Sequence, residues 1–407
     1  MQLAIRGGKP VCPPSFDRWP IWGREEEEAL LRALHSGKWG ALHGEEVKNF
    51  EKEFAGFQGA EHAVAVNSGT AALQVALRAA GIPAGAEVIL PAYTFVASAT
   101  AILDNCAIPV FVDIDPETYT IDPQAVEAAI NENTAAIMPV HFAGRPADMD
   151  ALEKIAADHE LILIEDAAQA WGASWRGRGV GSTGFAGGFS FQSSKNINAG
   201  EGGIILTSEE ETIGLLRSFS NCGRLESGLW YAHYNNGGNY RMTEFQGALL
   251  REQLRRYPRQ LERRQQNCAL LNEKLAHLPG ISPLPVDSRI TSHACHLYIF
   301  RYSPSAFDML AKDQFVKALQ AEGVPCSGGY SLPLYEQPLF RNRNFGPFSE
   351  VMQAAPSYAE QDLPHTRSAC QEQAVWIRQS ALLAPEEDIL RIVSAIEKIY
   401  ENRHELL

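Results

Sequence analysis

The stretch 189-FSFQSSKNINAGEGG-203 combines a short apolar segment, one lysine and a glycine-rich turn. Its first four residues alternate between phenylalanine and a polar residue, and this period of two predicts a β-strand. The glycines that follow predict a sharp turn or a close approach of the backbone. Lys195 therefore follows a buried strand, where a charged side chain is costly unless it binds something.

Two interpretations of Lys195 are open at this point. A lysine in a pocket can lose its proton and act as an amine nucleophile, forming a Schiff base with a carbonyl compound or with pyridoxal phosphate (PLP). The alternative is a strand-end lysine whose head group reaches solvent, which is the usual environment of lysine. The rest of the chain has to decide between them.

The composition of the 407 residues is that of a globular protein, with 45% apolar and 21% charged residues. The formal net charge of −14 disfavours nucleic acid and anionic membranes as partners, because both attract basic surfaces. The seven cysteines are scattered and form no CxxC pair, which predicts a reducing, cytoplasmic location and no zinc or other metal site. The sequence suggests neither a signal peptide nor an apolar membrane span.

The length predicts one large and one smaller domain. Residues 1–23 are rich in Gly, Pro and Trp and are interpreted as an extended N-terminal arm lying on another surface. Residues 24–255 are predicted to form the large domain. Residues 256–407 are predicted to contain linking helices and a smaller α+β domain.

Between residues 62 and 207, short apolar runs alternate with helical patterns. The runs are 62-HAVAV, 87-EVIL, 108-IPVFVD, 135-AAIMPV, 160-ELILIED, 189-FSFQ and 203-GIILT. Strands rich in Val and Ile that alternate with helices predict an α/β fold with a mostly parallel, seven-stranded sheet covered on both faces. In such sheets, ligands bind at the carboxyl ends of the strands.

The first candidate group is the turn 67-NSGTAAL-73, between a strand and a helix. Ser68, Gly69 and Thr70 offer hydroxyl and free amide groups at a helix N-terminus, which suits a phosphate. A plain helix N-cap is the alternative. The turn is not a P-loop, because no Gly-Lys-Ser/Thr follows.

The second candidate is Asp166, at the exit of a buried strand. A carboxylate there can hold a ring nitrogen protonated, which makes pyridoxal an electron sink. Gln169, expected on the same helix face, could reach the neighbouring ring oxygen. The alternatives are a helix N-cap or a Walker-B-like acid, and the second of these lacks its Walker A partner.

Two further groups complete the set. Either Tyr93 or Phe95 could stack on a planar ring, with core packing as the alternative. Ser190, placed on the same strand as Lys195, could bind a phosphate while the lysine binds the other end of one small cofactor. Together these groups describe one PLP site.

The motifs that carry this site resemble those of the DegT/DnrJ/EryC1/StrS aminotransferases, which are PLP-dependent enzymes of fold type I. The matching segments are NSGTAAL, PAYTF, PVHFAG (139–144), IEDAAQAWGA, FSFQSSKNINAGEGG and GGNYRMTEFQGALLREQL (237–254). They follow one another between about residues 20 and 255.

The resemblance implies a role for each candidate. Lys195 forms the imine with PLP and moves a proton between substrate carbon and cofactor. Asp166 pairs with the pyridinium nitrogen. The other cofactor-binding residues that it implies are Gln169 near the ring hydroxyl, Phe95 on the ring, Ser68, Gly69, Thr70 and Ser190 at the phosphate, and Asn239 reaching the phosphate of the second subunit of a homodimer.

The resemblance also indicates the reaction. Family members that dehydrate sugars carry a histidine in place of the lysine, so Lys195 favours amino transfer over a PLP dehydratase. Gln192, the arm segment 19–22 and 222-CGR-224 are similar to the scyllo-inosose and 3-amino-5-hydroxybenzoate branch. We therefore expect transfer from L-glutamine or L-glutamate to a small keto-cyclitol by a ping-pong mechanism. The alternatives are a nucleotide-linked keto-sugar acceptor or a non-catalytic protein that binds a ligand.

Overall fold

The computed structural model describes residues 2–12, 16 and 19–407. Its α-helices are α1 (Arg24–His35), α2 (Glu46–Gln58), α3 (Gly69–Ala79), α4 (Val96–Leu103), α5 (Pro123–Ala129), α6 (Met149–Asp158), α7 (Glu210–Ser220), α8 (Glu244–Leu275), α9 (Lys312–Ala321), α10 (Pro338–Arg341), α11 (Pro364–Ser368) and α12 (Glu386–Glu401). Its strands are β1 (His62–Val66), β2 (Glu87–Pro91), β3 (Ile108–Val112), β4 (Thr134–Ile137), β5 (Ile162–Asp166), β6 (Ser174–Trp175), β7 (Arg178–Gly179), β8 (Ala186–Ser190), β9 (Gly203–Thr207), β10 (Ile281–Pro283), β11 (Ile290–Ser292), β12 (Leu297–Tyr302), β13 (Cys326–Ser327) and β14 (Ala374–Arg378).

The large sheet confirms the predicted α/β architecture. Seven strands lie in the order β1-β9-β8-β5-β4-β2-β3, and β9 is antiparallel to both of its neighbours while the other pairs are parallel. Helix α3 packs on one face. On the other face, α2 contributes Phe50 and Phe54, whose rings lie 5.2–5.5 Å from those of Phe189 and Phe191. Both faces are therefore covered by apolar side chains, as a parallel sheet requires.

The strand predicted at 189–192 ends earlier than expected. The observed strand β8 covers Ala186–Ser190, and Lys195 lies beyond it in a turn. The backbone N–H of Phe191 donates to the carbonyl of Gly202, and that of Ser193 donates to the carbonyl of Gly200. The segment after Ser190 therefore forms a loop held by its own backbone hydrogen bonds. Ser190 and Lys195 do not share one strand.

A second sheet, in the order β10-β12-β14-β13, is entirely antiparallel. Its apolar side chains pack with those of α9 and α12. Of these strands only β12 is expected from the sequence, because the others are short or irregularly patterned. The predicted units 24–255 and 256–407 remain a prediction, and helix α8 runs without interruption across residue 255.

Residues 2–12 of the predicted N-terminal arm lie against the end of α9, which packs on the smaller sheet. The N–H of Ala4 donates to the Glu322 carboxylate over 2.8 Å, and the N–H of Cys12 donates to the Glu322 carbonyl over 2.9 Å. Residues 1, 13–15, 17 and 18 of the arm lie outside the described residues. Among the helices that the structure describes, none is long and apolar enough to cross a membrane.

A buried carboxylate fixes the end of β5. Glu165 is fully buried and accepts hydrogen bonds from His141 Nε2 at 2.9 Å and from the backbone N–H groups of Gly181, Thr183 and Gly184 at 2.6–2.9 Å. Burial alone would raise the pKa of this carboxyl, but the hydrogen bonds, led by the one from His141, hold the pKa below its ordinary value. Glu165 therefore ties β5 to the loop that precedes β8.

Replacing Glu165 with alanine should destabilise the fold by about 3–5 kcal/mol, because a buried pair loses one partner and three amides lose their acceptor. The shift of the urea unfolding midpoint measures this effect. The matched control is Glu28→Ala, which removes an exposed ion pair with Arg24 and should cost about 0.5 kcal/mol or less. Equal shifts for the two variants would contradict the structural role of Glu165.

Candidate active site

A cavity of about 720 Å³ opens at the carboxyl ends of the parallel strands, between the seven-stranded and the four-stranded sheet. Eight of the nine side chains or backbone positions predicted from the sequence line it: Ser68, Gly69, Thr70, Phe95, Asp166, Gln169, Ser190 and Lys195. The ninth, Asn239, is exposed in the loop before α8 and pairs through its backbone with Asn221. The site residues other than Asn239 are thus brought together within one chain.

The N-terminus of α3 forms one end of the cavity. Ser68 caps the helix, with its Oγ accepting the N–H of Ala71 over 3.1 Å, so the predicted N-cap is present. The first N–H groups of a helix lack intrahelical acceptors and favour an anion. A Cβ atom on Gly69 would lie 2.7 Å from the Cβ of Ser190. Glycine is therefore required for the helix end to come so close to the Ser190 hydroxyl.

Asp166 lies at the last position of β5 and is 5% exposed. Its Oδ2 accepts a hydrogen bond from Ser98 Oγ at 2.7 Å, and its Oδ1 accepts the N–H of Ala168 at 3.1 Å. Burial raises the pKa of this carboxyl, while the two hydrogen bonds and the charge of Lys195 oppose the rise. The carboxylate is held rigidly in a place where a cation would stabilise it.

Lys195 faces the same cavity. Burial lowers the pKa of its amine to about 8, and the negative charge of Asp166 limits the fall. Its Nζ lies 5.9 Å from the ring centroid of buried Trp171. A much larger share of this amine is therefore unprotonated near neutral pH than for an ordinary lysine, and an unprotonated amine is the nucleophile that carbonyl chemistry needs.

The two aromatic candidates are separated by their exposure. Tyr93 is 1% exposed and packs against Phe142, Tyr330 and Trp376, so it belongs to the core. Phe95 is 58% exposed and lines the cavity. Among these two, Phe95 is the ring that a planar ligand could contact.

The prediction of a helix after Asp166 is wrong. Residues 167–172 form successive turns, and Gly172 has a positive φ of 71°. The short segment leads directly into β6, which leaves no room for a helix. Gln169 nevertheless reaches the cavity, and its Oε1 is fixed by the N–H of Ala143 at 2.8 Å.

The structure adds cavity residues that the sequence did not single out, among them Ser98, His296, Tyr330, Trp376 and Arg378. Ser98 follows Phe95 by three positions in the motif at 91–101, and this spacing could have placed both on one side of a helix. The others come from the smaller sheet and its surroundings, where no motif marks them. Among residues 2–12, 16 and 19–407, no group of three or more His, Cys, Asp or Glu side chains is placed to hold a metal ion.

Comparisons with known proteins agree with this geometry. A model of the DegT/DnrJ/EryC1/StrS aminotransferase family matches residues 21–397. The L-glutamine:2-deoxy-scyllo-inosose aminotransferase of Streptoalloteichus tenebrarius is 38% identical over 429 residues, covering 100% of this chain and 99% of the relative.

Two crystal structures share the fold. That of 3-amino-5-hydroxybenzoic acid synthase superposes with a TM-score of 0.84 at 35% identity, covering 95% of this chain and 98% of the other. That of DesI, in the presence of its TDP-sugar product, has a TM-score of 0.85 at 31% identity, covering 99% and 97%. The predicted type I fold and aminotransferase class are confirmed, and the chain belongs to the DegT/DnrJ/EryC1/StrS aminotransferase family.

Proposed function

We propose that the cavity binds PLP, with the phosphate at the N-terminus of α3 and Ser190, and the ring between Phe95 and Asp166. The close approach of Gly69 to Ser190 supports this, because it leaves amide groups and a hydroxyl facing one small space. The buried carboxylate of Asp166 supplies the negative charge that a protonated ring nitrogen needs. In this arrangement, Gln169 lies beside the ring hydroxyl.

The protein's own groups divide the work of amino transfer. When bound, PLP supplies the electron sink for the substrate carbon. Lys195 would hold the aldehyde end of PLP in place and then carry a proton between the substrate carbon and the cofactor. An amine with a pKa of about 8 is well matched to this proton transfer. Asp166, oriented by Ser98, keeps a proton on the ring nitrogen.

The proposed substrates are L-glutamine as donor and a keto-cyclitol, such as scyllo-inosose, as acceptor. The relative from S. tenebrarius is named for transfer from L-glutamine to 2-deoxy-scyllo-inosose, and it matches this chain over nearly the full length of both. Among the described cavity residues, Arg378 and Lys195 are the cations. Arg378 is an exposed residue of this lining and suits the carboxylate of an amino-acid donor.

A nucleotide-linked keto-sugar is the second candidate acceptor, because DesI, whose structure was determined with its TDP-sugar product, is similar over nearly the whole chain. A diphosphate prefers several cationic or amide partners, and the described cavity lining offers few. A PLP dehydratase or a non-catalytic binding protein is less consistent with an intact Lys195.

The central observation is that Lys195, with its lowered pKa, shares one cavity with the buried carboxylate of Asp166. The test is the visible spectrum of the protein with PLP supplied, before and after L-glutamine, and then after scyllo-inosose. We expect a visible band that glutamine bleaches and the ketone restores. Lys195→Ala should remove both responses while leaving the fold intact by circular dichroism.

Two other outcomes of that experiment are informative. Bleaching that only a nucleotide-linked keto-sugar reverses would contradict the cyclitol acceptor and retain amino transfer. A Lys195→Ala variant that still turns over would contradict the role given to the lysine.

We further propose that the site is completed by a second copy of the chain, with Asn239 of one copy at the phosphate of the other. Large apolar side chains are exposed in the same loop, including Leu229 at 79% and Trp230 at 81%. Large exposed apolar side chains grouped in one loop are typical of an interface. Asn239 is exposed in the same loop and does not line the cavity of its own chain.

Mixed dimers test this proposal. Lys195→Ala and Asn239→Asp should each be inactive alone, the second because a carboxylate would repel the phosphate. Mixing and refolding the two should restore activity, since half of the sites in a mixed dimer combine a normal lysine with the partner's normal asparagine. The matched control mixes Lys195→Ala with Asp166→Ala, which lie in the same site and should give no recovery. Equal results in both mixtures would contradict a shared site.

A further inference from the structure

One histidine of the cavity wall has a hydrogen-bonding state that the structure determines. His296 lies immediately before β12, is 7% exposed and lines the cavity. Its ring meets the edge of the Trp171 ring with the centroids 5.6 Å apart. It is packed too tightly to turn freely, so its two nitrogens have fixed surroundings.

The neighbour of Lys195 fixes one of these nitrogens. The Asn196 amide nitrogen donates to the carbonyl of Ala294 at 2.9 Å, and it lies 3.5 Å from the hydroxyl of Tyr257. That hydroxyl donates its own proton to the Trp171 carbonyl at 2.8 Å, so it acts as an acceptor towards Asn196. Both partners require the NH₂ group, and the amide oxygen must therefore face His296 Nδ1, at 2.9 Å.

This orientation sets the tautomer of His296. An amide oxygen can only accept, so Nδ1 carries the hydrogen. Burial, together with the charges of Lys195 and Arg264, places the pKa of His296 well below its ordinary value. The ring is thus neutral, and its Nε2 carries a lone pair. Nε2 has no hydrogen bond to any described residue and is not sealed from solvent, so it opens to the cavity.

We propose that Nε2 of His296 accepts a hydrogen bond from a ring hydroxyl of the keto acceptor, and that the Asn196–His296 pair selects polyhydroxylated ketones. This inference rests on the proposed function. The lone pair of Nε2 accepts a hydrogen bond from a donor in the cavity, and every hydroxyl of a cyclitol is a hydrogen-bond donor. The nearby positive charges of Lys195 and Arg264 favour a neutral hydroxyl over a substrate ammonium group.

The test compares His296→Phe, which keeps a planar ring without an acceptor, with His296→Gln, which retains an acceptor oxygen. The two half-reactions are measured separately with PLP-loaded enzyme. For His296→Phe, we expect KM for scyllo-inosose to rise roughly tenfold or more, because a buried hydroxyl loses its partner. The glutamine half-reaction should change much less, and His296→Gln should recover part of the loss.

A series of inososes that each lack one hydroxyl locates the contact. One member should show the same KM in the wild type and in His296→Phe, because the hydroxyl that His296 binds is already missing from it. Equal losses across the whole series, or equal losses in both half-reactions, would overturn the proposal and indicate that His296 acts through Lys195 or only through packing.

A nitrogen-15 spectrum of the histidine rings gives a reading that does not depend on turnover. We expect the His296 signal to show a protonated Nδ1 and a bare Nε2 throughout the neutral range, and the opposite tautomer would overturn the proposal. If the wild type uses only a nucleotide-linked keto-sugar, the proposed function fails. The inference then fails as well only if His296→Phe leaves KM for that sugar unchanged.

Discussion

The burial of the Asp166 carboxylate at the end of β5 is the constraint on which the rest of the site depends. Two adjacent acidic residues leave the strand in opposite directions. Glu165 is satisfied within the fold by His141 and three backbone amides. Asp166 is oriented by Ser98 and Ala168 but keeps a raised pKa. The first residue stabilises the strand end, and the second leaves a negative charge where a ligand cation is favoured.

The positive group of the cavity, the Lys195 amine, is also disfavoured in its charged form by burial. Lys195 lies in the turn after β8, the neighbour of β5. Neither group fully compensates the other, because both pKa values remain shifted towards the neutral forms. A site with two such groups is suited to a ligand that carries a ring cation for Asp166 and a carbonyl carbon for Lys195.

The smaller sheet supplies the outer wall of the cavity. Buried Arg264 of α8 donates to the backbone and side chain of Gln379, which follows β14. The long helix is thus connected to the segment that carries Arg378 and Gln379 into the cavity. His296, which we propose contacts the acceptor, lies on this wall, whereas most of the groups proposed to bind the cofactor lie at the strand ends of the large sheet.

The sequence predicted the large sheet well, because buried parallel strands are continuous apolar runs and the motif residues follow their carboxyl ends. It failed where local pattern and tertiary context disagree. Gln169 lies in turns and not in a helix, since the segment is too short before β6. His296 could not be found because its role depends on Asn196 and Ala294, which lie about 100 residues apart in sequence. The strands of the smaller sheet, β12 excepted, are too short or irregular to show a period.

The most direct measurement is the pH dependence with which PLP-free protein captures PLP through Lys195. At each pH this rate is divided by the rate constant of the unprotonated amine of Nα-acetyl-lysine, which removes the aldehyde's own titration but not that of Lys195. Because the unprotonated amine reacts, the account predicts a rate that rises with pH through a midpoint of about 8. In Asp166→Asn the midpoint should move lower, since the charge that stabilises the ammonium form is lost. A midpoint near 10.4, the ordinary value for lysine, or one that does not respond to Asp166→Asn, would contradict the account.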